Sequence, residues 1–201
     1  MSSPSTPTGR GPSDGHLPPI RRSARRQKTL DVTAITGAEL SLRATLLDTS
    51  VAIEDPTDVE VIHDLRLDAT ISIPDLVIRE IKAHAEHQPY DMCSFTIAPM
   101  AKLKGLSLKR GYRREVLSIL GSTRGCSHFL TLALDLSAAN ILSIYLRMRE
   151  HVANTADNRS NGTWIRAGLD VEPGLLNACM ALAENSPVIQ QAGPMQQEHG
   201  D

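Results

Sequence analysis

The residue types best suited to chemistry sit in one string, Gly121-Ser122-Thr123-Arg124-Gly125-Cys126-Ser127-His128-Phe129. It ends a glycine-punctuated loop and opens a long apolar run. A cysteine at the start of a helix meets unpaired backbone N–H groups and the positive end of the helix dipole, and both favour thiolate over thiol. Arg124 adds to this if it points the same way, and Gly125 permits close approach by a ligand or another segment. Cys126 is therefore the candidate catalytic nucleophile, with His87 or His63 available as a base from elsewhere in the chain. Cys126 and His128 are two residues apart, and on a regular helix such side chains diverge by roughly 200°. They can share one metal only if Cys126 lies in the turn before the helix. The plainer local reading is a small buried thiol beside a capping or core-bonded imidazole.

The other candidates are more dispersed. Cys93 follows His84, His87, Pro89, Tyr90 and Asp91, so His87 and Asp91 are placed to ligate or to support a ligand there. Cys179 stands in Leu-Leu-Asn-Ala-Cys-Met-Ala-Leu, where a packing cysteine looks the same. Taken singly, each thiol reads as packing. Asp64 and Asp68 could form a carboxylate pair, but alternation puts them on the solvent side of a strand. No paired Cys-x-x-Cys knuckle, Walker loop, dinucleotide glycine motif, nucleophile elbow or His-Glu-x-x-His is present.

The elements that must position these groups change character along the chain. Val59, Val61, His63, Leu65, Leu67, Ala69 and Ile71 occupy alternate positions, with mostly polar residues between them, which is the period of a half-buried strand. Leu40, Leu42, Ala44 and Leu46 alternate likewise, so a partner strand is expected before the Asp55-Pro56 turn. Residues 76–86 fit either period, and the turn at Pro74-Asp75 favours a strand. After Pro89 the period is helical. A turn is expected at Gly105, then a short helix from Tyr112 to Leu120 closed by Gly121. A long helix should run from near Cys126 to about His151 with a wide apolar face. Pro173 fits the first turn of a last helix carrying Leu175, Leu176, Cys179 and Leu182. Strands first and helices afterwards predict an α+β domain, a small antiparallel sheet in the N-terminal half packed on a C-terminal helical layer.

Composition bounds the rest. The 201 residues suit one well-buried core, 41% are apolar and 22% charged. Aromatic residues make up 3% and the net charge is −2, which disfavours nucleic acid, since neither a basic surface nor stacking platforms are at hand. No export-type apolar segment opens the sequence, no run reaches the ~18 apolar residues of a membrane span, and three cysteines cannot pair fully; a cytoplasmic protein with reduced thiols is expected. Residues 1–28 read as a disordered arm whose basic cluster, Arg21, Arg22, Arg25, Arg26 and Lys28, could meet an acidic partner. Residues 29–188 form the single domain, and 189–201 a flexible tail.

Several of these strings carry a family likeness. Arg21-Arg22, Leu65-Arg66-Leu67-Asp68, Pro89-Tyr90-Asp91-Met92-Cys93, Leu103-Lys104-Gly105-Leu106 and above all Gly125-Cys126-Ser127-His128-Phe129 resemble a bacterial family of unknown function, DUF2889. The last string is close to its Gly-Cys-Thr-His-Leu signature, and 175–189 resembles its C-terminal Asp-x-Cys-His-Ala segment. The likeness spans roughly 20–190. It implies that Cys93, Cys126, Cys179 and His128 all fall on the family's pattern, the complement of a Cys₃His site for zinc or an iron–sulfur cluster. Met180 replaces the family's histidine, and Asn177 its aspartate. A weaker topological likeness, to NifU-like iron–sulfur scaffolds, bears only on which metal. Two functions follow as expectations: a metal- or cluster-binding protein, or a metal-free Cys126-dependent enzyme or anionic-ligand binder.

Overall fold

The computed structural model describes residues 21–192. Four strands, β1 (Arg22–Thr36), β2 (Glu39–Ala52), β3 (Val59–Ser72) and β4 (Ile78–His87), form an antiparallel meander in the order β1-β2-β3-β4. Six α-helices follow: α1 (Tyr112–Leu120), α2 (Ser127–Asp135), α3 (Ala139–His151), α4 (Ala156–Ser160), α5 (Thr163–Val171) and α6 (Pro187–Gln191). The architecture is α+β, as the order of periodicities indicates.

Alternation builds the core. Leu40, Leu42, Ala44 and Leu46 on β2 and Leu65, Leu67, Ala69 and Ile71 on β3 are buried on one sheet face. Met100, Leu103, Val116, Leu120, Phe129, Leu132 and Ala133 from the helical half cover them. Each leucine, isoleucine, valine, methionine or phenylalanine among them contributes about 1.5–3 kcal/mol when fully buried. Tyr112 Oη donates 2.9 Å to the Ala133 carbonyl, joining α1 to α2. Burial pushes that phenol well above its ordinary value, so it stays a donor. A smaller cluster, Ile144, Met148, Leu169, Leu175 and Ala192, holds α3, α5 and the end of the described chain together.

Several expectations are revised. Arg22 to Lys28 belong to the first half of β1, not to a free arm, because pairing with β2 from Arg22↔Ala52 onward satisfies their backbone. Residues 1–20 lie outside the described residues, as do 193–201, while 189–191 are helical in α6. The last helix does not begin at Pro173. Residues Pro173–Leu175 and Met180–Leu182 are 3₁₀ turns, and Asn177 between them has φ 62°, a conformation asparagine tolerates. The helix before them, α5, is entered through Gly162 at φ 82° and ends where Pro173 holds Glu172 extended.

The long helix from Cys126 is present but tightens to 3₁₀ at Leu136–Ala138 between α2 and α3. By length and composition Ser127–His151 could cross a membrane. Phe129, Leu132, Ala133, Leu136 and Ala139 within it are instead buried against the sheet.

β3 also departs from simple alternation. Pairing runs Asp48↔His63 and then Thr49↔Val61, so Ile62 is an extra residue in a β-bulge. The bulge reverses the phase. His63 faces inward with Asp48, whereas Val59 and Val61 pair with outward-facing residues and are 54% and 37% exposed. Glu60 turns inward in their place, and its carboxylate lies 3.9 Å from Arg22.

Candidate functional site

At the bulged end of the sheet the inward face stops being apolar. The inward series of β2, Leu40 to Leu46, continues as Asp48 and Ser50, both buried. Beside them lie Arg22 and Arg26 on β1 and His63 on β3. Arg26 grips Asp48 with two hydrogen bonds of 2.7 Å, one to each carboxylate oxygen. His63 Nδ1 is 2.9 Å from Asp48 Oδ2. Arg22 Nε donates 2.7 Å to Ser50 Oγ and its guanidinium reaches Asp58, which closes the row.

The start of α2 lies over this polar end. Cys126 is the N-cap, extended at φ −86° and ψ 134°, with its Sγ accepting the His128 backbone N–H at 3.3 Å. Because Cys126 precedes the helix proper, its side chain meets that of His128 after all, with Sγ 3.5 Å from Nδ1. The other ring nitrogen, Nε2, lies 3.9 Å from Asp48 Oδ2. The His63 and His128 rings stack, their centroids 3.8 Å apart and tilted by 36°.

Among the described residues, Asp48, His63 and His128 form the group of His, Cys, Asp or Glu whose ligand atoms fall within 4.8 Å of one another. Electrostatics favours donors ready to coordinate. The hydrogen bonds from Arg26 hold the Asp48 carboxyl below its ordinary value against the opposing effect of burial, with help from His63. Burial, then the positive charges of His63 and Arg26, push His128 below its ordinary value, against the pull of Asp48.

Cys126 and His128 are thus brought together, and they touch the group through His128. Cys93 and Cys179 are not part of it. Cys93 sits half-buried on the 3₁₀ turn Asp91–Thr96, and Cys179 is exposed at the entry to Met180–Leu182. Met180 is 92% exposed and Asn177 Oδ1 accepts from the Glu184 backbone. Asp68 faces outward, as alternation predicts, bonded to Arg43 and Arg66. Sequence reasoning passed over Asp48 and undervalued His63. The available signal was a carboxylate and an imidazole at the next inward positions of two apolar strands, where burial needs a reason.

The family model described as "Protein of unknown function (DUF2889)" matches residues 24–142, well over half of the chain. The chain belongs to the DUF2889 family. The matched span holds Asp48, His63, Cys93, Cys126 and His128, while Cys179 falls beyond it. No curated protein and no solved structure matches, so the likeness to NifU-type scaffolds gains no support.

Proposed function

We propose that this member of the DUF2889 family binds a divalent transition metal through Asp48, His63 and His128. The observation that carries the reading is the convergence of two imidazoles and one carboxylate from β2, β3 and the start of α2 within 4.8 Å. Two histidines and a carboxylate suit zinc or ferrous iron, and three protein ligands leave positions open for water or substrate, unlike a closed structural site. His63 in the tautomer that carries its proton on Nε2 offers its Nδ1 lone pair, 2.9 Å from Asp48 Oδ2, to a metal shared with that oxygen. His128 can present Nε2 while Nδ1 faces Cys126, a sulfur partner behind its ring. A carboxylate has about four acceptor positions. Arg26 takes two, one on each oxygen, which leaves Asp48 room for a metal and sets Arg26 as its competitor.

Cobalt(II) loading of the full chain tests this. Visible ligand-field bands should appear with wild type, persist in Cys93→Ser and Cys179→Ser, and vanish in His63→Ala and His128→Ala. A cobalt–thiolate band lost in Cys93→Ser or Cys179→Ser would put the metal on the cysteines instead and end the Asp/His/His reading.

A second reading is favoured by the 3.5 Å approach of Cys126 Sγ to His128 Nδ1 with Asp48 beyond the ring. Thiol, imidazole and carboxylate in series are the parts of a cysteine nucleophile. It requires Cys126 to be alkylated by iodoacetamide much faster than Cys93 or Cys179, and His128→Asn to remove the difference. Equal rates for all three thiols would dispose of it.

A further inference from the structure

Helix α3 is more apolar than its packing in the fold requires. Its buried face is Ala139, Ser143, Ile144 and Met148. On the opposite side Ile141, Leu142 and Tyr145 are 57%, 40% and 47% exposed, and Ala138 and Arg149 are exposed at the two ends of the same stripe. Positions 138, 141, 142, 145 and 149 recur at the spacing of one helical face. The 3₁₀ turn Leu136–Ala138 extends the row, because side chains three apart eclipse in that geometry, and so brings Asp135 into line with Ala138. Trp164 of α5 meets Tyr145 edge to face, ring centroids 5.5 Å apart, and widens the patch. Single exposed apolar side chains are ordinary, whereas a contiguous row with Tyr and Trp in it has the composition of an interface.

We propose that a second copy of this chain covers the row, with the two α3 helices antiparallel and Leu142 on the twofold axis. Charge decides the occupant. Asp135 and Arg149 lie seven residues before and seven after Leu142, so an antiparallel pair sets Asp135 of each copy beside Arg149 of the other. Arg149 is exposed and has no ion pair among the described residues. Asp135 accepts 2.6 Å from Lys28, which leaves acceptor positions on a carboxylate that has about four. Tyr145 of each copy falls over Ala138 and Ala139 of the other, a large side chain on small ones. A parallel pair would set like charges together, and a lipid surface would gain nothing from the carboxylate at one end of the row. The interface uses neither Asp48, His63 nor His128, so it stands or falls apart from the metal reading.

The test is sedimentation velocity of the full chain over a concentration series, under reducing conditions so that the exposed Cys179 cannot link copies. A monomer–dimer equilibrium at micromolar concentration is expected. Leu142→Glu and Arg149→Asp should each weaken the dimer at least tenfold with circular dichroism unchanged, since both side chains are exposed. Adding Asp135→Arg to Arg149→Asp should recover most of the loss, which an antiparallel pair alone explains. A chain that stays monomeric well above micromolar concentration, a dimer indifferent to Leu142→Glu, or a double variant no tighter than Arg149→Asp would overturn the proposal. So would a monomer that binds phosphatidylcholine–phosphatidylglycerol vesicles and loses them in Leu142→Glu, because the face would then belong to lipid. The wild-type equilibrium and the charge exchange decide the matter even if Leu142→Glu does not fold.

Discussion

Asp48 is the residue on which the site is centred. It receives Arg26 and His63 and lies near His128, so Asp48→Asn should remove metal binding and also cost the fold about 1.5–2 kcal/mol, the lower part of the range for charge-assisted bonds, since the Arg26 side chain is 45% exposed. Urea unfolding of the metal-free variant measures the second effect. The titrating groups give a signed pH dependence. His128 has a folded value below 6.5, so just under that pH the unfolded chain binds a proton that the folded chain refuses. Stability should fall as pH drops through this window and be insensitive to His128 above it. Asp48, held below 3.8, stabilises the fold above that value and loses its contribution as pH falls further, through its lower folded value. A pH series of unfolding free energies should therefore begin to decline below 6.5 in wild type, and His128→Gln should flatten that first step. An unchanged step in the variant would remove His128 as its source. At this scale the sequence was informative about Cys126 and His128, because a glycine-flanked cysteine opening a helix is a local signal. Asp48 and His63 were obscured because their partnership is made across strands, fifteen residues apart.

At the scale of elements, strand β3 shows both what periodicity can and cannot convey. Alternation from Leu65 to Ile71 identifies the core face correctly, since register there is unbroken. The extra residue Ile62 is invisible to a period-two count, and through it Val59 and Val61 change sides while Glu60 turns toward Arg22. The helix from Tyr112 to Leu120 was legible from its apolar spacing and terminal glycine. Helix α5 was not, because its start depends on the left-handed backbone of Gly162 packed against the end of the described chain. A Cβ on Gly162 would lie 2.0 Å from the Gln191 carbonyl oxygen, and the left-handed backbone alone costs a side-chain-bearing residue roughly 1–2 kcal/mol. Gly162→Ala should thus lower stability by more than about 2 kcal/mol and loosen α5 from α6. Thermal unfolding checks the magnitude. Gly125 has a tighter connection to the site: a Cβ there would approach the Leu120 carbonyl oxygen to 3.0 Å, directly before Cys126. Gly125→Ala should displace the helix start and weaken metal binding more than it destabilises the fold.

The described residues pack into one large core and one small one. The sheet, α1, α2, the segments that join them and the start of α3 share twenty-one buried apolar residues, whereas α3, α5 and their neighbours share five. Local opening free energy follows buried contacts, so amides of α5 should exchange with deuterium well before those of β2 and β3. Simultaneous exchange of both would show one cooperative unit instead. The proposed metal site lies on the large core, with its candidate ligands on two central strands and the first turn of α2, so metal should raise the stability of the sheet more than that of α5. The α+β class was readable for a different reason: strands precede helices, and each half carries its own period. Which groups meet at the polar end of the sheet depends on register and the bulge, and these are properties of the assembled molecule. Zinc titration of the chelator-treated full chain against a competing chromophoric chelator tests the central claim most directly. The account predicts one zinc per chain, weakened more than about 100-fold by His63→Ala or Asp48→Asn, weakened about tenfold by Cys126→Ala through its contact with His128, and unchanged by Cys179→Ser. Stoichiometric binding that survives His63→Ala and Asp48→Asn, or no competition for zinc at all, would contradict it.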